Sequence, residues 1–440
     1  MMKTPTKPKL PPVFRRPQVF PLLIIALLAE IAYAVLNIST MPIYLKAVPP
    51  EGHFLIPNGR AFGASVIGLV VTAFLLSEAV FKSPMGHLAD RFGPRKLMLI
   101  GPCISVATVL ITLFFPNLNA STGEVIVFVL LRACDGVGAA MLWPAAFMAV
   151  NEVVPDDERQ QAMSLLNLCY MLGIALAFPF GGIVNDLTNT RWAGLVLAGV
   201  LFLSVALAVW KFVPAGQAKS HSAEPSEAGF ADFIKSVRQI PTYLILATVT
   251  FIGVGFPMTI FKLFPLDQFG FSETQVGMLI FPGAIALAAA SVPMSRFGER
   301  IGRIRAVHFG LALCAFGMAM IGIGGIVPIL RQPWLLAIGG IPVGIGFLLT
   351  IPAWMASVSD IDPQKRGTNI GAVMTAQGLG AIIGAPIGAA FYEKLQPVGI
   401  QLGLGESFGR YSPFMACAVC LIFGWLLSLR ILREPGKPVN

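Results

Sequence analysis

Residues 19–45 read VFPLLIIALLAEIAYAVLNISTMPIYL, and this stretch decides the class of fold. Its one charged side chain is Glu30. Because a helix rises about 1.5 Å per residue, roughly 20 apolar residues cross the ~30 Å hydrocarbon layer of a membrane. The stretch is therefore predicted to be a transmembrane helix. It is longer than the apolar core of a cleaved signal peptide, so we expect it to stay in the protein.

The rest of the chain continues this pattern. Of its 440 residues, 56% are hydrophobic and 12% are charged, whereas a soluble domain carries about 25% charged residues. This composition excludes an ordinary soluble enzyme and a disordered protein. The apolar runs do not alternate as barrel strands do, so they indicate an all-α membrane protein. Eleven further spans are predicted, at 64–82, 97–115, 124–150, 162–184, 193–212, 243–262, 275–296, 306–330, 334–358, 367–392 and 411–432.

The basic residues predict the orientation of these twelve spans. When residues at the ends of spans are counted with the adjoining tail or connection, twenty-three of the 31 lysines and arginines belong to the two tails and the connections after even-numbered spans, and seven belong to the connections after odd-numbered spans. Since cytoplasmic loops carry the excess of basic residues, we expect both termini in the cytoplasm and a multi-pass protein of the plasma (inner) membrane. The net charge of +9 thus follows from topology, and no nucleic-acid partner is expected.

The two sets of six spans repeat each other. A group in the second connection recurs 209 residues later, and a group in span 5 recurs 207 residues later. Two like halves in the same orientation imply a pseudo-two-fold axis along the membrane normal. The matched residues are Pro84, Asp90, Arg91 and Gly93 with Pro293, Glu299, Arg300 and Gly302, and Gly173, Pro179 and Gly181 with Gly380, Pro386 and Gly388.

The domain plan follows from this repeat. We predict a cytoplasmic tail at 1–18, six-helix bundles at 19–212 and 241–432, a cytoplasmic linker at 213–240 and a second tail at 433–440. Within the linker, Phe230, Phe233, Ile234 and Val237 have helical spacing. This spacing indicates either a short helix on the membrane surface or a plain polar linker.

Three motifs resemble the major facilitator superfamily. Residues 86–96, GHLADRFGPRK, resemble its signature loop, and residues 132–140, RACDGVGAA, are similar to its second motif. Residues 173–182, GIALAFPFGG, resemble the motif of its drug/proton antiporters, with Phe178 in place of a glycine. The resemblance implies two six-helix repeats and transport by alternating access. We expect a proton as the coupling ion and no other cofactor, no enzymatic activity, and a monomer in the lipid bilayer that acts on a small-molecule substrate.

The same motifs have a physical interpretation of their own. Small residues at every fourth position let helices approach closely in lipid, and proline kinks helices that must bend. Glycines in the signature loop permit a tight turn, and its charges bridge helix ends to shut one face; alternatively, the loop only supplies positive charge. We therefore predict gating loops at Gly86, Asp90, Arg91, Gly93, Arg95 and Lys96 and at Glu299, Arg300 and Gly302, and packing or kink positions at Gly173, Pro179, Gly181, Gly380, Gly384, Pro386 and Gly388.

Few ionisable residues lie deep in the spans, and such residues are costly and usually functional. Glu30 falls near mid-membrane in span 1, and Arg132 and Asp135 lie one helical turn apart in span 4. A carboxylate kept from water favours its protonated form, and a nearby arginine opposes this, so a change in their contact loads or unloads a proton. We predict Glu30 as the principal coupling acid. Arg132 with Asp135, and Glu78 with Lys82, are either part of the coupling or structural ion pairs.

The substrate is less closely defined. Asn37, Tyr170 and Gln377 lie inside spans and either line a central cavity or bond helix to helix. Since Arg132 is the one deep basic residue, an apolar, amphipathic or cationic molecule fits the acids best. The sequence predicts a proton-coupled exporter of such a molecule, with no metal site. A symporter that imports a carboxylate held by Arg132, and a receptor or scaffold without transport, are the alternatives.

Overall fold

The computed structural model describes residues 13–47, 56–155, 159–214, 240–359 and 366–432. These residues form twelve long helices and their connections, and they contain no β-strand. The helices are α1 (Phe20–Lys46), α2 (Ala64–Phe92), α3 (Pro94–Phe114), α4 (Thr122–Val153), α5 (Arg159–Thr188), α6 (Ala193–Phe212), α7 (Pro241–Met258), α8 (Glu273–Ile301), α9 (Arg303–Gly322), α10 (Pro333–Ser359), α11 (Arg366–Lys394) and α12 (Ser407–Ile431).

The predicted fold of twelve helices in two repeats is confirmed. Eleven of the described helices are long and apolar enough to cross a membrane, and α8 has a shorter apolar stretch, Glu273–Leu287. The spans are helices because no water is present in the hydrocarbon layer, so the backbone N–H and C=O groups of a lone span must bond to each other within it. The surface helix predicted in the linker lies outside the described residues.

The turn between α2 and α3 differs from the prediction. Gly86 makes no turn: α2 runs through both Pro84 and Gly86 to Phe92 and ends at Gly93, after which Pro94 opens α3. Gly93 has a φ of 83°, a conformation that only glycine adopts freely. Gly302, its repeat mate, has a φ of 93° and opens α9 in the same way. The repeat therefore keeps the glycine that makes the turn.

One segment of α1 departs from α-helical geometry. Residues Val35–Thr40 form a π-helix, in which the N–H of Met41 bonds to the carbonyl of Leu36 five residues earlier. Pro42 explains the position, because a proline lacks an N–H and its ring crowds the carbonyl four residues before it. π-turns inside α-helices often mark functional sites.

The helix pairs α1–α5 and α7–α11 are repeat mates, and both pack through glycines. A Cβ added to Gly173 would lie 2.6 Å from the Cβ of Glu30, and one added to Gly380 would lie 2.5 Å from the carbonyl of Thr248. Gly384 and Gly388 similarly face the carbonyls of Ile252 and Phe256. Gly181 faces the side chain of Ser39 on α1. Small side chains at these positions let each pair of helices touch along the backbone.

The two halves meet along α2–α11 and α5–α8, which is the pairing that a pseudo-two-fold axis requires. A Cβ on Gly277 would lie 2.7 Å from the Cα of Pro179, and one on Gly182 would lie 2.5 Å from the carbonyl of Glu273. Each half has its own apolar core, and a third cluster brings Ala64 of the first half together with second-half residues such as Phe264 and Tyr392. We call the end of the bundle that carries the connections after odd-numbered helices the odd-loop end, and the opposite end the even-loop end.

Candidate transport site

A cavity of about 190 Å³ lies between the halves, and the first half supplies most of its wall. The helices α1, α2, α4 and α5 contribute the first-half side chains, and the last residue of α7 and the segment after it contribute the rest. The lining residues are Glu30, Tyr33, Ala34, Asn37, Ile38, Pro42, Val71, Phe74, Leu75, Glu78, Ala139, Trp143, Tyr170, Ile174, Met258, Thr259, Phe261 and Lys262.

Glu30 is the carboxylate that the protein leaves unpaired at this cavity. Its side chain is 5% exposed, and among the described residues it has no hydrogen-bond or ion-pair partner. The close approach of Gly173 to its Cβ fixes where the side chain leaves α1. Since burial disfavours a lone charge, the carboxylate needs a cation or a proton.

The other two charges on the cavity wall are compensated. Glu78 forms an ion pair with Lys82 at 2.7 Å, one turn along α2 and partly exposed. Lys262 pairs with Glu273 at 2.8 Å, and both are buried. The wall therefore carries one uncompensated negative charge, on Glu30, when that carboxylate is ionised.

Aromatic rings surround the carboxylate. Trp143 and Tyr170 meet edge to face with ring centres 5.1 Å apart, and Tyr33 lies 6.2 Å from Phe74. Ring faces attract cations, and large aromatic side chains offer apolar area for a flat ligand. The combination suits a molecule with an apolar body and a single positive charge.

Behind the cavity lies a buried ion pair. Arg132 and Asp135 are fully buried, with Nη1 3.3 Å from Oδ2. Asn37 stands between this pair and the cavity: its Nδ2 donates to Asp135 Oδ2 and to the carbonyl of Tyr33, both at 3.1 Å. Its Oδ1 accepts from Arg132 at 3.5 Å. Arg132 and Asp135 thus do not line the cavity, and they meet it through Asn37.

Comparison with a second buried arginine shows how incompletely this pair is satisfied. Arg60 uses all three guanidinium nitrogens, in bonds to Glu124, Tyr44 and three backbone carbonyls. Within the described part of the chain, Arg132 leaves Nε and Nη2 without a partner, and Asp135 leaves Oδ1 without one. Fully bonded buried polar groups stabilise a fold, whereas unpaired ones are costly and point to a function. Arg60 is therefore the structural arginine, and Arg132 is the candidate for function.

At the odd-loop end, a buried cluster joins the halves. Lys262, which follows α7, donates to the carbonyl of Ser39 at 2.5 Å and to its Oγ at 2.9 Å. Glu273, the first residue of α8, accepts from Lys262, from Asn185 and from Arg191 at 2.6 Å. Lys262 thus uses its three donors and carries no free charge into the cavity.

Two more polar bridges lie at the same end. Lys46 of α1 pairs with Asp267, which also accepts from Tyr392 at 2.6 Å. Glu393 of α11 accepts from the N–H and the Oγ of Ser65, both at 2.8 Å. Every hydrogen bond between the halves that joins two described residues lies at the odd-loop end. The described molecule is therefore closed at this end.

The predicted site residues are distributed unevenly around this geometry. Glu30, Glu78, Asn37 and Tyr170 line the cavity. Gln377 is buried on α11 outside the cavity, and its Nε2 has no partner among the residues that the structure describes. Arg132 and Asp135 meet the cavity only through Asn37.

The gating-loop residues lie away from the cavity, at the even-loop end. Arg95 donates to the carbonyl of Trp210 at 2.6 Å, within the first half. Arg91, Lys96 and Arg300 are exposed. The side chains of Asp90 and Glu299 lie outside the described part.

Sequence reasoning missed the cluster at the odd-loop end. The predicted spans end at residue 262 and begin again at residue 275, and no role is predicted for Lys262 or Glu273. Their signal in the sequence is a lysine inside an otherwise apolar stretch, followed eleven residues later by a glutamate. Neither residue reveals from the sequence that Ser39, 223 residues away, completes the contact.

The chain belongs to the Major Facilitator Superfamily, whose family model matches residues 22–265 and 243–440. It is 23% identical over 382 residues to multidrug resistance protein 2 of Bacillus subtilis, which covers 84% of this chain and 88% of that protein. It is 22% identical over 378 residues to the quinolone resistance protein NorA of Staphylococcus aureus, with 84% and 89% covered. It is a membrane transporter and not an enzyme.

Solved structures share its fold. The nucleoside transporter NupG aligns with a TM-score of 0.73 at 14% identity, over 94% of this chain and all of that one. A D-xylose–proton symporter aligns with a TM-score of 0.66 at 16% identity, over 93% and 97%. At these identities the likeness establishes the architecture, and the substrate has to be argued from the cavity.

Proposed function

We propose that this chain is a proton-coupled exporter of amphipathic, singly charged organic cations, with Glu30 as the coupling acid. The observation that carries the proposal is the unpaired Glu30 carboxylate in an aromatic cavity. A buried carboxylate is stable with a proton or with a cation, and either one removes the cost of the lone charge. Proton and substrate therefore compete for the same group.

The size of the cavity limits what binds without rearrangement. Its volume of about 190 Å³ is near that of a cavity that holds benzene, ~150 Å³, and below the ~300–1,000 Å³ of most ligand pockets. A cation with one aromatic ring fits the closed shape. Larger substrates require the halves to move apart, as in alternating access.

The transport cycle that we propose has two steps at Glu30. A proton bound at Glu30 neutralises the cavity and permits the halves to rock to the other side. A cation that arrives from the even-loop end then expels the proton from Glu30. The cation balances the charge of the carboxylate in the conformation that is open at that end. A proton that moves through 100 mV supplies about 2.3 kcal/mol, enough to bias such a cycle.

Three further points belong to this proposal. The odd-loop end faces outward and both termini face the cytoplasm, as the distribution of basic residues supports. The membrane is the plasma membrane, and the chain works as a monomer. Export as the direction rests on relatives named for drug resistance.

The alternative of a symporter for carboxylates is less well supported. Its substrate would bind Arg132, but that side chain is fully buried, paired with Asp135 and separated from the cavity by Asn37. When Glu30 is ionised, the cavity also carries a negative charge, which repels an anion. A receptor that does not transport would have no need for a buried, unpaired carboxylate such as Glu30.

The test uses purified protein in liposomes with an imposed pH gradient. Aromatic monocations are screened for proton movement that depends on the substrate, in the wild type and in Glu30→Gln. We expect coupled movement in the wild type and none in the variant. Glu152→Gln, which neutralises an exposed carboxylate away from the cavity, is the matched control and should behave as wild type. Coupled transport that survives Glu30→Gln would refute the proposal.

A further inference from the structure

The π-helical segment Val35–Thr40 touches charged groups on two sides. Through Asn37 it bonds to Asp135, inside the first half. Through the carbonyl and hydroxyl of Ser39 it accepts two bonds from Lys262, which belongs to the second half. A six-residue segment thus lies between the buried ion pair and the contacts that close the odd-loop end.

The π-turn needs support from these contacts. Its hydrogen bonds span one residue more than those of an α-helix, and such turns are rare because the α form is preferred. Pro42 weakens the α form locally, since it offers no N–H to the carbonyl of Ile38. Asn37 adds to the support, because it uses both amide donors, one on the Tyr33 carbonyl and one on Asp135.

We propose that Val35–Thr40 transmits the state of the Arg132–Asp135 pair to the closure of the odd-loop end, with Asn37 and Ser39 as positioning residues. The inference rests on the proposed function, whose cycle requires the odd-loop end to open and close. It adds a mechanical route from the buried pair to that end, through positioning residues to which the cycle assigns neither the proton nor the substrate.

The route follows from helix geometry. When a π-turn becomes α-helical, one residue leaves the bulge, and the residues on one side rotate by about 100° and shift by about 1.5 Å relative to the other. Ser39 lies within the turn, so its carbonyl and hydroxyl leave Lys262. Lys262 then keeps Glu273 as its described partner, and α1 loses its bonds to the second half at this point. The odd-loop end opens more readily as a result.

The test measures closure directly. In a variant without the six native cysteines, Ser65→Cys and Glu393→Cys place two thiols where the halves touch at the odd-loop end. The rate of disulfide formation in liposomes, without substrate or pH gradient, reports closure. Asp135→Asn and Asn37→Ala should each lower this rate about fivefold, the effect of a lost bond of about 1 kcal/mol. Together they should lower it no further, because both act through one contact.

Thr40→Val is the matched control. Thr40 lies in the same segment, and its hydroxyl has no partner among the described residues. Because valine has nearly its shape, the cross-linking rate should stay within about twofold of the parent. Pro42→Ala is an independent approach: it restores an N–H, favours the α form and should lower the rate while the ion pair is intact.

Several results would overturn the inference. One is an unchanged rate in Asn37→Ala or in Pro42→Ala, and another is an effect of Asp135→Asn that persists in full when Asn37 is already alanine. Monodisperse elution of each variant shows that it folds. Because the measurement uses neither substrate nor gradient, these results leave the proposed function standing, and a failed transport assay leaves this inference open to its own test.

Discussion

The two halves share their packing but not their charge. Gly173 on α5 lies against Glu30 of α1, and its repeat mate Gly380 on α11 lies against Phe251 of α7. The same close helix contact thus carries a carboxylate in one half and a phenyl ring in the other. The repeated residues build the fold, and the residues that break the repeat build the site.

This division extends through the molecule. The first half holds Glu30, the Arg132–Asp135 pair and the π-turn. The second half supplies apolar packing and the lysine and glutamate that close the odd-loop end. In the cycle that we propose, the first half senses charge and the second half is the one against which it moves.

The largest expected effect comes from disrupting the close glycine packing that occurs within each half, between α1 and α5 in the first and between α7 and α11 in the second. Gly384→Val puts a branched side chain onto the carbonyl of Ile252, where backbone meets backbone and neither helix can yield. Overpacking costs about 1–3 kcal/mol when neighbours adjust, and more when they do not. We expect no folded protein in size-exclusion chromatography. Gly378→Ala on the same helix, whose new Cβ has open space around it, should fold normally; equal behaviour of the two would contradict the packing argument.

The next effect concerns a contact that only the first half has. Arg132→Ala leaves Asp135 buried without its counter-charge, which should cost about 3–5 kcal/mol and lower the thermal unfolding temperature in detergent. The double variant Arg132→Met with Asp135→Leu removes both charges and should recover most of that loss. A double variant less stable than the single would show that the pair stabilises the fold by itself.

The smallest effect is expected at Glu78. It faces the cavity but is already paired with Lys82, and the pair is partly exposed, so it is worth about 0–1 kcal/mol. Glu78→Gln should weaken binding of a monocation by no more than about fivefold, as measured by equilibrium dialysis. A loss as large as that of Glu30→Gln would place a second uncompensated charge in the cavity and remove the distinction drawn between the two acids.

Much of the fold is readable from the sequence, because its signals are local. Apolar runs of sufficient length give the helices, and glycines four residues apart, such as Gly380 and Gly384, give the close pair α7–α11. The unpaired status of Glu30 is partly local too, since no basic residue lies one turn away on its own helix.

The remaining features depend on how helices are rotated against each other. Asn37 is a plausible cavity residue from sequence, but its bond to Asp135 joins α1 to α4. Lys262 and Ser39 meet across the two halves, and each looks ordinary where it stands in the chain. Pro42 and the polar residues before it do mark a weak point in α1, and the π-turn lies there.

The most direct test of the central claim is proton release on substrate binding. Purified protein in a weakly buffered detergent solution is mixed with an aromatic monocation that it transports, and the pH change is calibrated per bound molecule. The wild type should release one proton at saturation, because the cation replaces the proton on Glu30, and Glu30→Gln should bind without any release. Saturated binding to the wild type with no proton released, or the same release from the variant, would contradict the account.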